Sequence, residues 1–234
     1  MRLPVSCILA SLVALFFQTN PASGYAQQSP TAEEILQAAR MSPTARPASL
    51  RAQIRGEEKP TPLLISLKDH VITYVFKDPD QTLLLRLDPG NTMLLEKKNG
   101  VTQRVSDTRL HDGIRDTGVN YQDLSLGFLY WPRPTLQGEE TIRTRPSWKI
   151  DLQAPAGEEI YGVARVWIDK DSGAILRIEG YDKKGFLLRR FEIVSAQKLD
   201  GLWMLKQMRI ESFAPGNPNP LTRRYLEVIG KEKA

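Results

Sequence analysis

Two histidines, a few acids near one of them and Ser125 are the residues that invite a catalytic reading. His111 is followed by Asp112, Asp116 and Asp123. A metal site or an acid–base pair needs ligands that converge on one point. This spacing fits neither one helix face nor a known ligand string. His70 follows "LKD" and is expected in a turn at the head of a strand. Ser125 lies in "LSLGF", which lacks the G-x-S-x-G frame of a nucleophile elbow. There is no glycine-rich phosphate loop. These residues point to no catalytic group, no metal site and no cofactor. A secreted hydrolase built on the His111–Asp116 region is the alternative from the enzyme class.

The remaining chemistry is burial of apolar surface. Tyr121, Leu124, Phe128 and Trp131 fall at i, i+3, i+7 and i+10, with Leu129 beside them. That pattern predicts one amphipathic helix of about three turns, closed by Pro132 and Pro134. Met204 and Met208 lie on a predicted strand, where flexible, polarizable side chains suit an adaptable lining. These seven residues are the candidate site for a hydrophobic ligand and its lid.

The elements that must position them are mostly strands. From Ser49 the sequence alternates with period two through "SLRAQIRG", "PLLISLKD", "HVITYVFKD", "QTLLLRLD", "NTMLLEKK" and "VTQRVSD". "LDPGNTM" and "EKKNGVT" are the clearest hairpin signals, because Gly, Asn and Asp tolerate the backbone of tight reversals. After the central helix come "EETIRTR", "SWKIDLQ", four strands between Tyr161 and Ile210, and a last strand, "LTRRYLEVIG". The count is about twelve or thirteen strands. No parallel βαβ rhythm appears, so the sheet is expected to be antiparallel. Ahead of it, "SPTAEEILQAARM" predicts a short helix with Thr31 and Glu34 at capping-box spacing.

Residues 1–26 have the layout of a secretory signal peptide: Arg2, an apolar run from Val5 to Phe17, then small and polar residues up to Ala26. Residues 27–234 are expected to form a single domain, exported to the periplasm and soluble after cleavage. Cys7, the only cysteine, falls inside that leader, which leaves the mature chain without thiol or disulfide chemistry. The mature chain carries 31 basic and 27 acidic residues, interspersed along the strands. This argues against nucleic acid as a partner. It is compatible with a solvated sheet face and with transient contact at an anionic membrane surface.

A sheet this wide must curl, split or be covered. Two outcomes stay open. The inner face could be filled, as in a closed sandwich. Alternatively, a curled sheet covered by helices could keep a cavity for an apolar guest.

"VWIDKDSGAILRIEGYDKKGFLLRRFEI", then "GLWMLKQMRIES", resembles the LolA-like outer membrane lipoprotein-sorting proteins. The block from Trp167 to Met208 carries the W-I-D strand end and the hairpins after it. "YQDLSLGFLYWP" is similar to the family's central helix, and the likeness extends over residues 31 to 232. The resemblance implies an incomplete, strongly curved antiparallel barrel of about eleven strands, with helices plugging its mouth. It also implies a non-enzymatic carrier that takes acylated lipoproteins from an inner-membrane transporter to an outer-membrane acceptor. A lipid passed on by an exporter, or a sensor of misplaced lipoproteins, would use the same fold. The resemblance to the family's best-known carrier implies a lid helix latched by an arginine near the first strands. Arg51 and Arg55 lie in that region, but neither matches the position by motif.

Overall fold

The computed structural model describes residues 29–41, 47–57, 59–77, 79–115, 117–158 and 160–232. The leader expected over residues 1–26, Cys7 and Asp116 lie outside the described residues.

The chain opens with α1 (Ala32–Met41). The Thr31 hydroxyl accepts from the Glu34 amide at 3.3 Å, and the Glu34 carboxylate accepts from the Thr31 amide at 2.8 Å. This is the reciprocal cap that the sequence spacing predicts.

Six strands follow: β1 (Ala48–Arg55), β2 (Thr61–Lys68), β3 (Val71–Phe76), β4 (Gln81–Asp88), β5 (Asn91–Lys98) and β6 (Val101–Arg104). Each pairs antiparallel with the next. Alternation sends Leu63, Ile65, Ile72, Phe76, Leu83, Leu85 and Leu94 to the inner face, all buried. Asn99 and Gly100 both have positive φ, as the tight β5–β6 reversal requires.

Seven strands complete the sheet: β7 (Thr135–Ile142), β8 (Arg145–Gln153), β9 (Val163–Asp169), β10 (Ile175–Tyr181), β11 (Leu187–Leu199), β12 (Leu202–Phe213) and β13 (Pro220–Lys231). The four strands expected between Tyr161 and Ile210 are β9 to β12. The sheet runs β6-β5-β4-β3-β2-β1-β13-β12-β11-β10-β9-β8-β7. It is a thirteen-stranded antiparallel sheet whose outermost strands, β6 and β7, are not paired with each other. The fold is therefore mainly β and open, as expected. The two meanders meet at the β1–β13 seam, where Glu227 of β13 accepts from Arg55 and Gln53 of β1 and from Gln207 of β12 at 2.8–2.9 Å.

Two apolar clusters fill the inner side. One joins β1–β5 to Ile210, Leu226 and Val228. The other joins Ile35, Leu36 and Ala39 of α1 to Phe128, Leu129, Trp131, Ile150, Leu152 and Val166. Burying an aliphatic side chain of this size contributes about 1.5–3 kcal/mol. α1, too short to persist alone, is held by this contact. None of the described helices is long and apolar enough to cross a membrane.

Candidate lid and apolar cavity

The central segment is not one helix of three turns. α2 spans only Tyr121–Ser125. Asn120 caps it: its side-chain oxygen accepts from the Asp123 amide at 2.7 Å, and Asp123 accepts from the Asn120 amide at 3.0 Å. The helix stops because Leu126 takes the left-handed conformation, φ 51°. The Ser125 hydroxyl fixes that stop by donating to the Gln122 carbonyl at 2.8 Å and accepting from the Gly127 amide at 3.2 Å. A 3-10 turn over Gly127–Tyr130 follows. The break divides the stripe of candidate residues between the two apolar clusters.

Beneath this bent segment lies an apolar cavity of about 120 Å³. Leu124, Leu126 and Phe128 line it from the lid. Leu63, Tyr74 and Phe76 line it from β2 and β3, and Met208, Ile210 and Leu226 from β12 and β13. Ile178 and Phe191 come from β10 and β11, so both meanders contribute. For scale, an apolar cavity of about 150 Å³ stays dry and takes up a benzene-sized guest.

Three of the seven candidate residues, Leu124, Phe128 and Met208, line this cavity. The other four do not. Tyr121 fastens α2 to the sheet: its hydroxyl donates to Glu96 of β5 at 2.7 Å and accepts from Gln81 of β4 at 3.1 Å and from Arg109 at 3.0 Å. Burial and the neighbouring Glu96 push the Tyr121 hydroxyl up to about 12. Burial works against ionisation of Glu96, but its bonds from Arg109, Tyr121 and Gln81 win and hold it below the usual carboxylate range. Leu129 and Trp131 pack in the cluster that contains α1. Met204 lines a separate groove with exposed Trp203, Arg143 and Asp169.

Sequence reasoning missed two features. Arg40 of α1, only 7% exposed, donates to the Leu129 carbonyl from Nε at 3.0 Å and Nη2 at 2.7 Å, and lies over the Tyr130 ring. α1 thus clamps the 3-10 turn. The arginines considered from the family pattern do other work: Arg51 donates to the Lys231 carbonyl and Arg55 pairs with Glu227. The second feature is a group of polar side chains beside the cavity. Asp123 is ion-paired with Arg189 of β11 and accepts from the Tyr161 hydroxyl at 3.5 Å. Gln122, Asp123, Phe128, Tyr161, Arg189 and Phe191 surround a smaller space of about 20 Å³ that shares Asp123, Phe128, Ile178 and Phe191 with the main cavity. Gly180 makes room for Tyr161, since a Cβ there would come within 2.5 Å of the ring. Burial pushes the Asp123 carboxyl above its ordinary range, against the pull of Arg189, the Asn120 amide and Tyr161. The signal available in the sequence was Arg189 itself, a charge interrupting an apolar strand face.

His111 and Asp112 are exposed, whereas Asp123 is buried against Arg189. Among the described residues no three His, Cys, Asp or Glu side chains come together as a metal site.

A family model described as an uncharacterized protein matches residues 76–221, more than half of the chain and including the lid and β9–β12. The chain belongs to that family. No curated protein matches this family member. Its fold is LolA-like. It is similar to a DUF1329 family protein from Desulfovibrio piger, with TM-score 0.63 and 19% identity over 84% of this chain and 89% of that one. It is similar to a domain of Vibrio parahaemolyticus provisionally named an outer membrane lipoprotein-sorting protein, with TM-score 0.62 and 18% identity over 85% and 91%. A LolA superfamily protein from Nitrosomonas europaea follows, with TM-score 0.59 and 14% identity over 88% and 95%.

Proposed function

We propose that residues 27–234 act in the periplasm as a non-enzymatic carrier that buries acyl chains, most fittingly those of lipoproteins, for transfer towards the outer membrane. The observation that carries this reading is the apolar cavity roofed by Leu124, Leu126 and Phe128. A donor transporter in the inner membrane and an acceptor at the outer membrane are the partners such a carrier needs. The LolA-like fold and the leader-like residues 1–26 support the setting.

The energetics suit reversible opening. Lifting Leu124 and Phe128 off the sheet exposes two apolar side chains, at a cost of about 3–6 kcal/mol. Burying an acyl chain returns about 0.8 kcal/mol per methylene, so roughly four to eight methylenes offset the opening. Shorter guests leave the lid shut, and a long acyl chain holds it open. Tyr121 and Arg40 then act as fasteners at the two ends of the lid, and Leu124, Phe128 and Met208 as lining.

The test is uptake of the fluorescent apolar probe N-phenyl-1-naphthylamine by the mature protein. The reading expects saturable fluorescence, and at least tenfold weaker uptake by Met208→Trp, which fills the cavity. No uptake by the unaltered protein, or equal uptake by both, would contradict it.

A further inference from the structure

The polar side chains beside the cavity carry information about the guest. Gln122 is buried, and its side-chain amide nitrogen is held by Glu158 at 3.0 Å. That bond fixes the amide orientation, because only the NH₂ can donate to a carboxylate. The other end of the amide, Gln122 Oε1, is buried with no partner. It is an acceptor waiting for a donor, and a buried orphan acceptor is costly. Beside it, Arg189 supplies donors and is already neutralised by Asp123. The site therefore offers one free acceptor and a guanidinium whose charge Asp123 balances. An anionic head would meet Gln122 Oε1 and the Asp123 carboxylate, both electron-rich, in a desolvated space. An uncharged head that donates one hydrogen bond and accepts another fits all the groups present.

Resting on the carrier reading above, we infer that the guest is an acyl chain joined to an uncharged donor–acceptor head, specifically a carboxamide: its N–H donates to Gln122 Oε1, its carbonyl accepts from Arg189, and its chain enters the cavity beside Phe128 and Phe191. The site discriminates against the free carboxylate of the same chain length. A primary fatty amide and the N-acyl amide of an acylated peptide share this chemistry.

The experiment is displacement of bound N-phenyl-1-naphthylamine from the mature protein at pH 7.5 by dodecanamide, by sodium dodecanoate and by an N-dodecanoyl dipeptide amide. Dodecanamide is expected to displace the probe at about tenfold lower concentration than dodecanoate, the effect of satisfying one buried acceptor. Gln122→Met is expected to remove that preference. The dipeptide amide separates the sources: displacement equal to dodecanamide assigns the head to acylated peptides, and displacement by dodecanamide alone assigns it to simple lipid amides. Dodecanoate matching or exceeding dodecanamide on the unaltered protein overturns the inference whether or not the variant folds. So does a preference that survives Gln122→Met. Failure to bind the probe at all would instead remove the carrier reading beneath it.

Discussion

Strands β1–β6 pair without one register shift, whereas five of the six pairings among β7–β13 contain one. A bulge leaves an extra residue on one strand, bends it and increases its twist. The regular arm is therefore the floor, and the bulged arm supplies the curl that brings Ile178 and Phe191 to the same cavity as Leu63 and Phe76.

The outer faces differ as well. On the regular arm, Leu64 faces Val75, Thr73 faces Leu84, and Leu84 faces Leu95, all half-buried. On the bulged arm, Asp151, Arg165, Glu179, Arg190, Glu211 and Arg223 face one another in turn across six strands, alternating in sign. The Arg165–Asp151, Arg190–Glu179 and Arg223–Glu211 contacts are 2.6–2.8 Å. A parallel row sets Glu192 among Arg143, Arg177 and Arg209. The acids are covered by the arginine stems, which leaves Glu211 only 2% and Glu192 only 4% exposed. The comparison teaches that curvature and stiffness come from different residues. Bulges bend the second arm, and the charge rows hold the bend on its convex side.

The largest expected effect attacks those rows. Glu211→Gln strands Arg190, Arg209 and Arg223 around one missing charge. Breaking an ion pair at a covered site costs about 3 kcal/mol. Chemical denaturation is expected to register that loss, and a loss below 0.5 kcal/mol, as at an ordinary surface site, would remove the rows from the account. A smaller effect is expected at the lid. Arg40→Gln gives up the charged bonds to the Leu129 carbonyl, worth about 1.5 kcal/mol. It should speed probe entry in stopped-flow fluorescence, and unchanged entry would free the lid from α1. At the seam, the hydrogen bonds from Arg55, Gln53 and Gln207 hold Glu227 at about 2, down from 4.5. A lowered carboxylate stabilises the fold above its unfolded value and loses that contribution as pH falls. Thermal stability should therefore decline between pH 4.5 and 2, and Glu227→Gln should flatten that decline. The smallest effect belongs to the regular arm's outer face. Leu84→Gln is expected to change stability by about 0.5 kcal/mol or less, and a loss as large as that of Glu211→Gln would erase the contrast.

Much of the floor was legible. Period-two alternation gives the inner residues of β2–β5, and Asn99-Gly100 gives the β5–β6 reversal without reference to anything distant. The charge rows were not legible. Isolated charges along β9–β13 look like a solvated face until the bulges fix which residue stands opposite which. Glu211 meets both Arg190 and Arg223 only in the observed register. The lid was half legible. The stripe from Tyr121 to Trp131 marks an apolar segment correctly, but a left-handed leucine has no sequence signature, so the break at Leu126 and the transfer of Leu129 and Trp131 to the α1 cluster stayed hidden. Met204 lines a different groove from Met208 for the same reason. Lys206 is passed over between the Ser195–Gln207 and Ala196–Leu205 pairs, which separates Met204 from the register that carries Met208.

The most direct measurement is native mass spectrometry of the mature protein, purified from periplasm without detergent, followed by organic extraction of the bound material. The carrier account expects a mass above that of the bare chain and an extract containing acyl chains. A bare-chain mass, together with no uptake of the apolar probe afterwards, would contradict it and leave the cavity as packing space in a filled sheet.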